Sequence, residues 1–261
     1  MTAILLDIDG VLHVSGEAVP GAPEAVQALR DKGHRLRFVT NNTTRARGAL
    51  AGELQAIGFD LESEDITTTP LAAGKLLQGK RVFALTMSSI RDDLAGYVEL
   101  VDDGADAVLL GGADESEETG DVFSYDRLNQ AYAELREGAR LVCLHKNKWW
   151  QTNRGPLLDS GAFVAGLEYA SGVEATVLGK PSAAYFEVAL AALDAEPPLT
   201  WMVGDDLEQD VAGAQRFGLR TVLLRTGKFR PDALERSTIV PDAVLSSIAN
   251  LPEWLDGVAS A

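Results

Sequence analysis

Short apolar runs that each stop at a knot of polar residues, with a longer amphipathic stretch behind, constrain this chain more than any other feature. Ile4-Leu5-Leu6 runs into Asp7-Ile8-Asp9-Gly10, Leu36-Arg37-Phe38-Val39 into Thr40-Asn41-Asn42, and Trp201-Met202-Val203 into Gly204-Asp205-Asp206. Between such runs the apolar spacing is helical: Pro23 to Lys32 with Val26 and Leu29 on one face, about Thr44 to Ile57 stopping at Gly58, Ala183 to Leu193, and Asp210 to Phe217 before a last run at Thr221 to Leu224. Strand and helix alternating in this way fold as βα units on a parallel sheet. The spacing therefore predicts an α/β protein with a Rossmann-like, doubly wound parallel-sheet core.

The middle of the chain has an alternation of its own. Arg81 to Leu85, Ala107 to Leu110 and Arg140 to Leu144 read as strands, Tyr125 to Arg136 and Phe163 to Tyr169 as helices, and Gly111 to Gly120 as a polar loop. This predicts an inserted α/β domain over 74–176, with 1–73 and 177–261 forming the core. A chain of 261 residues is long enough for two modest domains.

Charge and cysteine usage narrow the partners. With 23 Lys and Arg against 39 Asp and Glu the net charge is −16, and no basic block interrupts it. That field opposes nucleic acid and anionic membrane surfaces, which need basic residues to meet phosphate. An anionic substrate would need local relief from a metal or a placed lysine. No apolar run approaches a membrane span. The N-terminus enters a strand directly, without an export signal, so a cytoplasmic protein is expected. The one cysteine, Cys143, lies in the apolar run Arg140 to Leu144, which predicts a buried thiol and excludes a disulfide framework or cysteine-rich zinc site.

Four segments carry chemistry. Asp7 and Asp9 lie two residues apart just past a strand, on the side where parallel sheets bind ligands, and two such carboxylates suit a magnesium ion between them. Thr40, Asn41 and Asn42 offer a hydroxyl, amides and free N–H groups to an anion, although an ordinary helix N-cap accounts for them equally well. Lys180, between Gly179 and the helix-starting Pro181, is placed to neutralise a phosphate or a carboxylate, unless it is simply a surface lysine. Asp205 is placed to complete the metal shell begun by Asp7, with Asp206 or Asp210 supporting it from behind, though acids at a helix start are also ordinary. Each segment has a bland explanation, but four at one sheet edge in the order Asp, Thr, Lys, Asp converge on a site.

These four segments resemble, in order and spacing, the four motifs of the haloacid dehalogenase superfamily. The insert between Thr40-Asn41-Asn42 and Gly179-Lys180-Pro181 is similar to that of the NagD-like (class IIA) phosphatases, which carry a large α/β cap there. Phe123-Ser124-Tyr125, Leu167-Glu168-Tyr169-Ala170, Gly179-Lys180-Pro181-Ser182 and Arg225 to Pro231 resemble the phospholysine phosphohistidine inorganic pyrophosphate phosphatase branch. At Asp9 and Asn42 the chain follows the wider NagD-like pattern instead, which leaves the branch's substrate preference open. The resemblance implies a magnesium-dependent phosphatase acting on a small phosphorylated compound through an aspartyl-phosphate, with Asp7 as nucleophile. Asp9 would ligate magnesium through its backbone carbonyl and act as general acid and base through its carboxyl. Thr40 and Asn41 would hold phosphoryl oxygens, Asn42 would touch substrate, Lys180 would balance charge and Asp205 would ligate the metal. It also implies a homodimer through the cap.

Substrate choice is expected in the cap, in the segment Leu144 to Thr152 with Leu158 to Gly161. His145, Lys146, Trp149, Trp150 and Asp159 are its candidate contacts for an anionic or ring-bearing leaving group, although a tryptophan there also suits a core or dimer position. Two other readings use similar residues. A receiver-like phosphorylation switch is opposed by the chain length, the insert and the first-strand position of Asp7. A sugar phosphomutase shares the aspartyl-phosphate and stays open, whereas a dehalogenase is disfavoured by Asp9.

Overall fold

The most apolar run becomes the centre of the molecule's larger sheet. β1 (Ala3–Asp7) is buried along its whole length, as a strand covered by helices on both faces must be. The computed structural model describes residues 1–152 and 155–259. These divide into two compact units, one of Met1–Thr40, Arg47–Thr67 and Lys180–Ala261, the other of Asn41–Ala46 and Thr68–Gly179.

In the first unit β1 is followed by a small hairpin, β2 (His13–Val14) and β3 (Glu17–Ala18), then by β4 (Arg35–Val39) and β5 (Ile66–Thr67). After the strands of the second unit come β13 (Thr200–Gly204), β14 (Arg220–Leu224) and β15 (Ala243–Leu245). The large sheet is parallel, in the order β15-β14-β13-β1-β4-β5. The chain runs outward from β1 to β4 and β5 on one side and returns to β13 on the other. The order therefore reverses between β1 and β13, where open α/β sheets leave a crevice at the strands' carboxyl ends. Ile4, Leu6, Phe38, Val203 and Val222 pack one continuous core with the Ala22–Asp31 helix and the last helix, Leu251–Ala259. Truncating Leu6 to alanine would cost about 2–5 kcal/mol.

The short edge strand β5 was not foreseen because two residues show no periodicity. It is held by Arg37, a buried cation on the neighbouring strand. Its Nε donates to Thr67 Oγ1 at 2.6 Å and Nη2 to the Ile66 carbonyl at 2.9 Å, while Nη1 reaches the Glu64 carbonyl. Burial lowers the guanidinium's pKa, and these acceptors satisfy it in place of water.

The second unit repeats the α/β theme. β6 (Arg81–Leu85), β7 (Glu99–Leu100), β8 (Ala107–Leu110), β9 (Arg140–Cys143) and β12 (Thr176–Val177) form a parallel sheet in the order β12-β9-β8-β6-β7. Helices Tyr125–Arg136 and Gly161–Ser171 pack on it through Ala131, Leu135, Val164 and Leu167. Cys143 is buried in β9, and burial pushes its thiol up to about 12, so it stays protonated and inert. β10 (Trp149–Thr152) and β11 (Gly155–Leu158) make an antiparallel hairpin in the segment read above as a specificity loop.

Three expected boundaries move. The helix expected from about Thr44 starts at Arg47, because Asn42 Oδ1 accepts the N–H groups of Thr44 and Arg45 and spends those residues on a turn. The loop expected to Gly120 contains a helix from Glu117, behind an Asp114–Ser116 turn and with two acids at its start. The helix expected at Asp210 begins as a π-helical turn, Leu207–Ala212, whose first N–H groups are capped by Asp206.

Candidate active site

Strand register alone brings the acids together. Leu6 pairs with Val203 and Asp7 with Val39, so Asp7, Thr40 and Asp205 leave the sheet side by side at the reversal of strand order. Asp7 and Asp205 are buried there with Asp210, and their carboxylate oxygens approach one another within 4.8 Å. Such a cluster repels itself unless a cation lies within it.

One cation is already present. Lys180, buried at the entry to the Ala183–Ala191 helix, places Nζ 2.7 Å from Asp7 Oδ1 and 2.8 Å from Asp210 Oδ1. Burial opposes its charge, but Asp210 and Asp7 outweigh that and hold the ammonium firmly protonated. Burial raises the Asp7 carboxyl, with Lys180 opposing. It also pushes Asp205 up to about 6, against the N–H of Lys228, and Asp210 up to about 7, with Asp7 adding to the rise and Lys180 opposing it. Three carboxylates against one ammonium leave two negative charges without a partner in the cluster.

The oxygens differ in what they have left to give. Asp7 Oδ1 takes the Ile8 N–H at 2.9 Å as well as Lys180. Asp210 is committed on both sides, Oδ1 to Lys180 and Oδ2 to the Asp206 N–H at 3.1 Å. Asp205 Oδ2 takes the Lys228 N–H at 2.6 Å, but its Oδ1 is buried with no hydrogen-bond partner among the described residues. A buried orphan carboxylate oxygen among acids is costly, and a hard divalent cation with oxygen ligands is what would satisfy it. The donor set therefore fits a divalent cation of that kind.

Two glycines make this closeness possible. Gly10 has φ +81° and Gly227 φ +52°, and a Cβ on either would overlap the Asp205 carboxylate. Thr226 Oγ1 donates to the Gly10 carbonyl, so the loop after β14 clasps the turn after β1. Sequence reading noticed Arg225 to Pro231 only as a likeness and gave these residues no part. A threonine-glycine-lysine run directly after a strand was the available signal. It also missed Tyr185, whose buried hydroxyl accepts the Thr40 N–H at 2.8 Å and lies 2.6 Å from the Thr67 carbonyl, fixing where β4 ends.

Asp9 is different from the buried acids. Its side chain is 59% exposed, with Oδ1 3.6 Å from His13 Nε2 and Oδ2 3.5 Å from the Thr40 hydroxyl. Asp206 faces Lys228 Nζ at 3.9 Å while capping the π-helical turn.

The remaining candidates lie in the second unit. Asn42 shapes the turn described above, and Asn41 begins the same segment. His145 and Asp159 are buried: His145 Nε2 is 3.2 Å from Thr43 Oγ1 and 3.5 Å from Asp159 Oδ1, and Nδ1 accepts the Asn147 N–H. Burial lowers the His145 pKa, with Asp159 opposing. Lys146 is bonded to Glu168 at 2.6 Å, Trp149 is 58% exposed, and Trp150 is half-buried on the same strand.

Comparison with known proteins agrees with this geometry. Residues 4–97 match the family described as haloacid dehalogenase-like hydrolase, and 177–251 a related haloacid dehalogenase-like hydrolase family. Haloacid dehalogenase-like hydrolase domain-containing protein 2 of Bos taurus is 38% identical over 88% of this chain and 86% of its own. The phospholysine phosphohistidine inorganic pyrophosphate phosphatase of Homo sapiens is 35% identical over 97% of this chain and 93% of its own. Among solved structures, p-nitrophenyl phosphatase from Archaeoglobus fulgidus superposes with a TM-score of 0.87 at 26% identity, covering 97% of this chain and 98% of that one. NagD from E. coli gives a TM-score of 0.83 at 28% identity, covering 95% and 97%. With its switch-point carboxylates, its lysine and relatives matched along almost its whole length, the chain belongs to the haloacid dehalogenase-like hydrolase family, as one of its phosphatases.

Proposed function

We propose that this phosphatase hydrolyses a small phosphorylated compound, with magnesium, through an aspartyl-phosphate on Asp7. The observation that carries the reading is the buried, unpartnered Asp205 Oδ1 beside an Asp7 whose Oδ1 is already tied to Lys180 and Ile8. Asp7, Asp205 and the Asp9 main-chain carbonyl would hold the ion, which when bound offsets the two uncompensated charges and draws the phosphoryl group into a field otherwise hostile to anions. Asp210 and Asp206 support from behind, Asp210 by holding Lys180.

This chain's residues then have definite tasks. The second oxygen of Asp7 attacks phosphorus in line, with Lys180 keeping that carboxylate ionised and balancing the incoming charge. Thr40, at the end of β4, offers its hydroxyl to a phosphoryl oxygen, with Asn41 and Asn42 as further contacts. Asp9, exposed enough to meet the leaving group, gives it a proton and then takes one from the water that releases phosphate.

Residues 74–176, which lie within the second unit, serve in this reading as the cap that selects among phosphate monoesters, phosphoramidates and pyrophosphate. Trp149, Trp150 and Lys146 are its candidate contacts, and His145 with Asp159 shapes the segment beneath them. The groove between helices Tyr125–Arg136 and Gly161–Ser171, with Tyr169 94% exposed beside it, suits contact with a second copy in a homodimer. A cytoplasmic setting suits the buried, inert thiol of Cys143, and among the described residues no helix is long and apolar enough to cross a membrane.

The test is phosphate release from p-nitrophenyl phosphate, glycerol phosphate, phosphohistidine, phospholysine and pyrophosphate, with magnesium and with chelator. Turnover that requires magnesium and falls at least about 1000-fold in Asp7→Asn is expected. Stoichiometric phosphorylation without turnover would instead favour the switch, and transfer to a sugar hydroxyl the mutase.

A further inference from the structure

The hairpin that follows Asp9 carries a histidine that neither the carboxylate cluster nor the phosphoryl contacts use. His13 opens β2 four residues beyond Asp9, and its Nε2 lies 3.6 Å from Asp9 Oδ1. The ring's other nitrogen, Nδ1, accepts the Gly16 N–H at 3.3 Å. A ring nitrogen that accepts carries no proton, so the ring's N–H is on Nε2, the nitrogen 3.6 Å from the carboxylate. Backbone contacts fix the spacing: Gly10 N–H donates to the His13 carbonyl at 2.8 Å, and Asp9 and His13 form a bridge outside the named strands.

The two side chains are held very differently. Asp9 is 59% exposed, whereas His13 is 19% exposed and lines a crevice with Ile8, Leu50, Leu54 and Ile57. The braced ring is the natural reference against which a loose carboxylate settles. The other Asp9 oxygen, Oδ2, faces the Thr40 hydroxyl at 3.5 Å, on the side of the phosphoryl contacts.

We infer that His13 is a positioning residue for Asp9: its Nε2–H engages Oδ1 and so presents Oδ2 as the oxygen that exchanges the proton with the leaving group. The inference rests on the reading of Asp9 as general acid and base. In the first step an Asp7 oxygen bonds to phosphorus, the bond from phosphorus to the leaving oxygen breaks, and the proton on Oδ2 passes to that oxygen. In the second, water bonds to phosphorus, gives a proton to Oδ2, and the Asp7–phosphorus bond breaks. His13 keeps its own proton throughout. At 3.6 Å the contact is longer than a hydrogen bond, and contacts to acid–base groups commonly tighten when substrate binds.

Positioning of an acid is felt where the acid is needed. Glycerol phosphate expels an alkoxide that must be protonated, whereas p-nitrophenyl phosphate expels a stable phenolate. His13→Phe keeps the apolar packing and removes the N–H; His13→Gln keeps an N–H donor at similar reach. In His13→Phe, kcat on glycerol phosphate should fall about tenfold and kcat on p-nitrophenyl phosphate less than about twofold, with KM little changed, and His13→Gln should restore most of the loss. Equal losses on both esters, no loss on either, or a His13→Gln enzyme no better than His13→Phe would overturn the inference. If His13→Phe does not fold, His13→Leu against His13→Gln makes the same comparison. A wild type inactive on both esters, or unaffected by Asp7→Asn, would defeat the phosphatase chemistry itself; an active wild type and a dead Asp7→Asn with uniform His13 losses would defeat only this step.

Discussion

Both units are parallel sheets flanked by helices, yet their carboxyl edges hold different things. The edge of the larger sheet gathers Asp7, Asp205 and Asp210 around Lys180. The corresponding edge of the smaller sheet leads from β9 into Leu144 and His145, and holds one buried ion-pair partner, Asp159, with the Thr86 and Ser160 hydroxyls buried and unpartnered. Shared topology thus supplies a crevice but not a chemistry. The first edge packs three carboxylates around one ammonium; the second sets one buried carboxylate against a histidine. In the proposed reading the first edge reacts and the second shapes.

Removing the lysine should break the contrast most severely. Lys180→Met leaves Asp7 and Asp210 buried without their ammonium and should cost about 3–5 kcal/mol in urea unfolding, with phosphate release falling about 100-fold or more. Pairing it with Asp210→Asn should return part of the stability but not the activity. The next effect is a pH dependence. Asp205 is pushed up to about 6 and Asp210 up to about 7, both by burial first, so the folded state holds their protons more tightly than the unfolded chain does. That stability is fully present below about pH 4 and is lost as pH rises through about 6 to 7, on the order of a few kcal/mol for metal-free protein. Thermal melts in chelator should therefore drop between pH 5 and 8, and magnesium should raise the melting temperature more at pH 8 than at pH 5.

The second edge should respond more mildly. His145→Ala removes the partner of Thr43 and of the Asn147 N–H and leaves the Asp159 carboxylate buried, which should cost about 1–3 kcal/mol in the same unfolding assay. The smallest stability effect belongs to Lys146→Ala. Its bond to Glu168 is half-exposed and worth less than about 1 kcal/mol, so the expected result is an unchanged melt with an altered ratio of rates across the substrate panel.

The parts legible in the sequence were those written in long or repeated signals. Ile4 to Leu6 and Trp201 to Val203 announced central strands because fully buried strands are continuous apolar runs. The acids after them, each with a bland explanation alone, stood out because four polar segments converge on one sheet edge. β5 and β7 are two-residue strands, too short for any period, and β5 depends on Arg37, whose role is visible only in three dimensions. The paired strands β10 and β11 gave no strand signal because tryptophans among polar residues alternate weakly. That His13 shares a crevice with Leu50 and Leu54 is a long-range feature that local sequence does not carry.

β1 pairs with nearby β4 on one side, but the strand and the turn behind it also have two distant partners, β13 and Thr226, the latter clasping the Gly10 carbonyl across 216 residues. During synthesis the first strand emerges long before either partner exists. The smaller sheet, drawn from one nearly continuous stretch, has all its strands in hand earlier. Pairings of such long range form late. A nascent chain halted before Lys228 would carry Asp7 without Asp205's anchoring N–H, so the carboxylate cluster of the proposed site is completed only after β14 has been made.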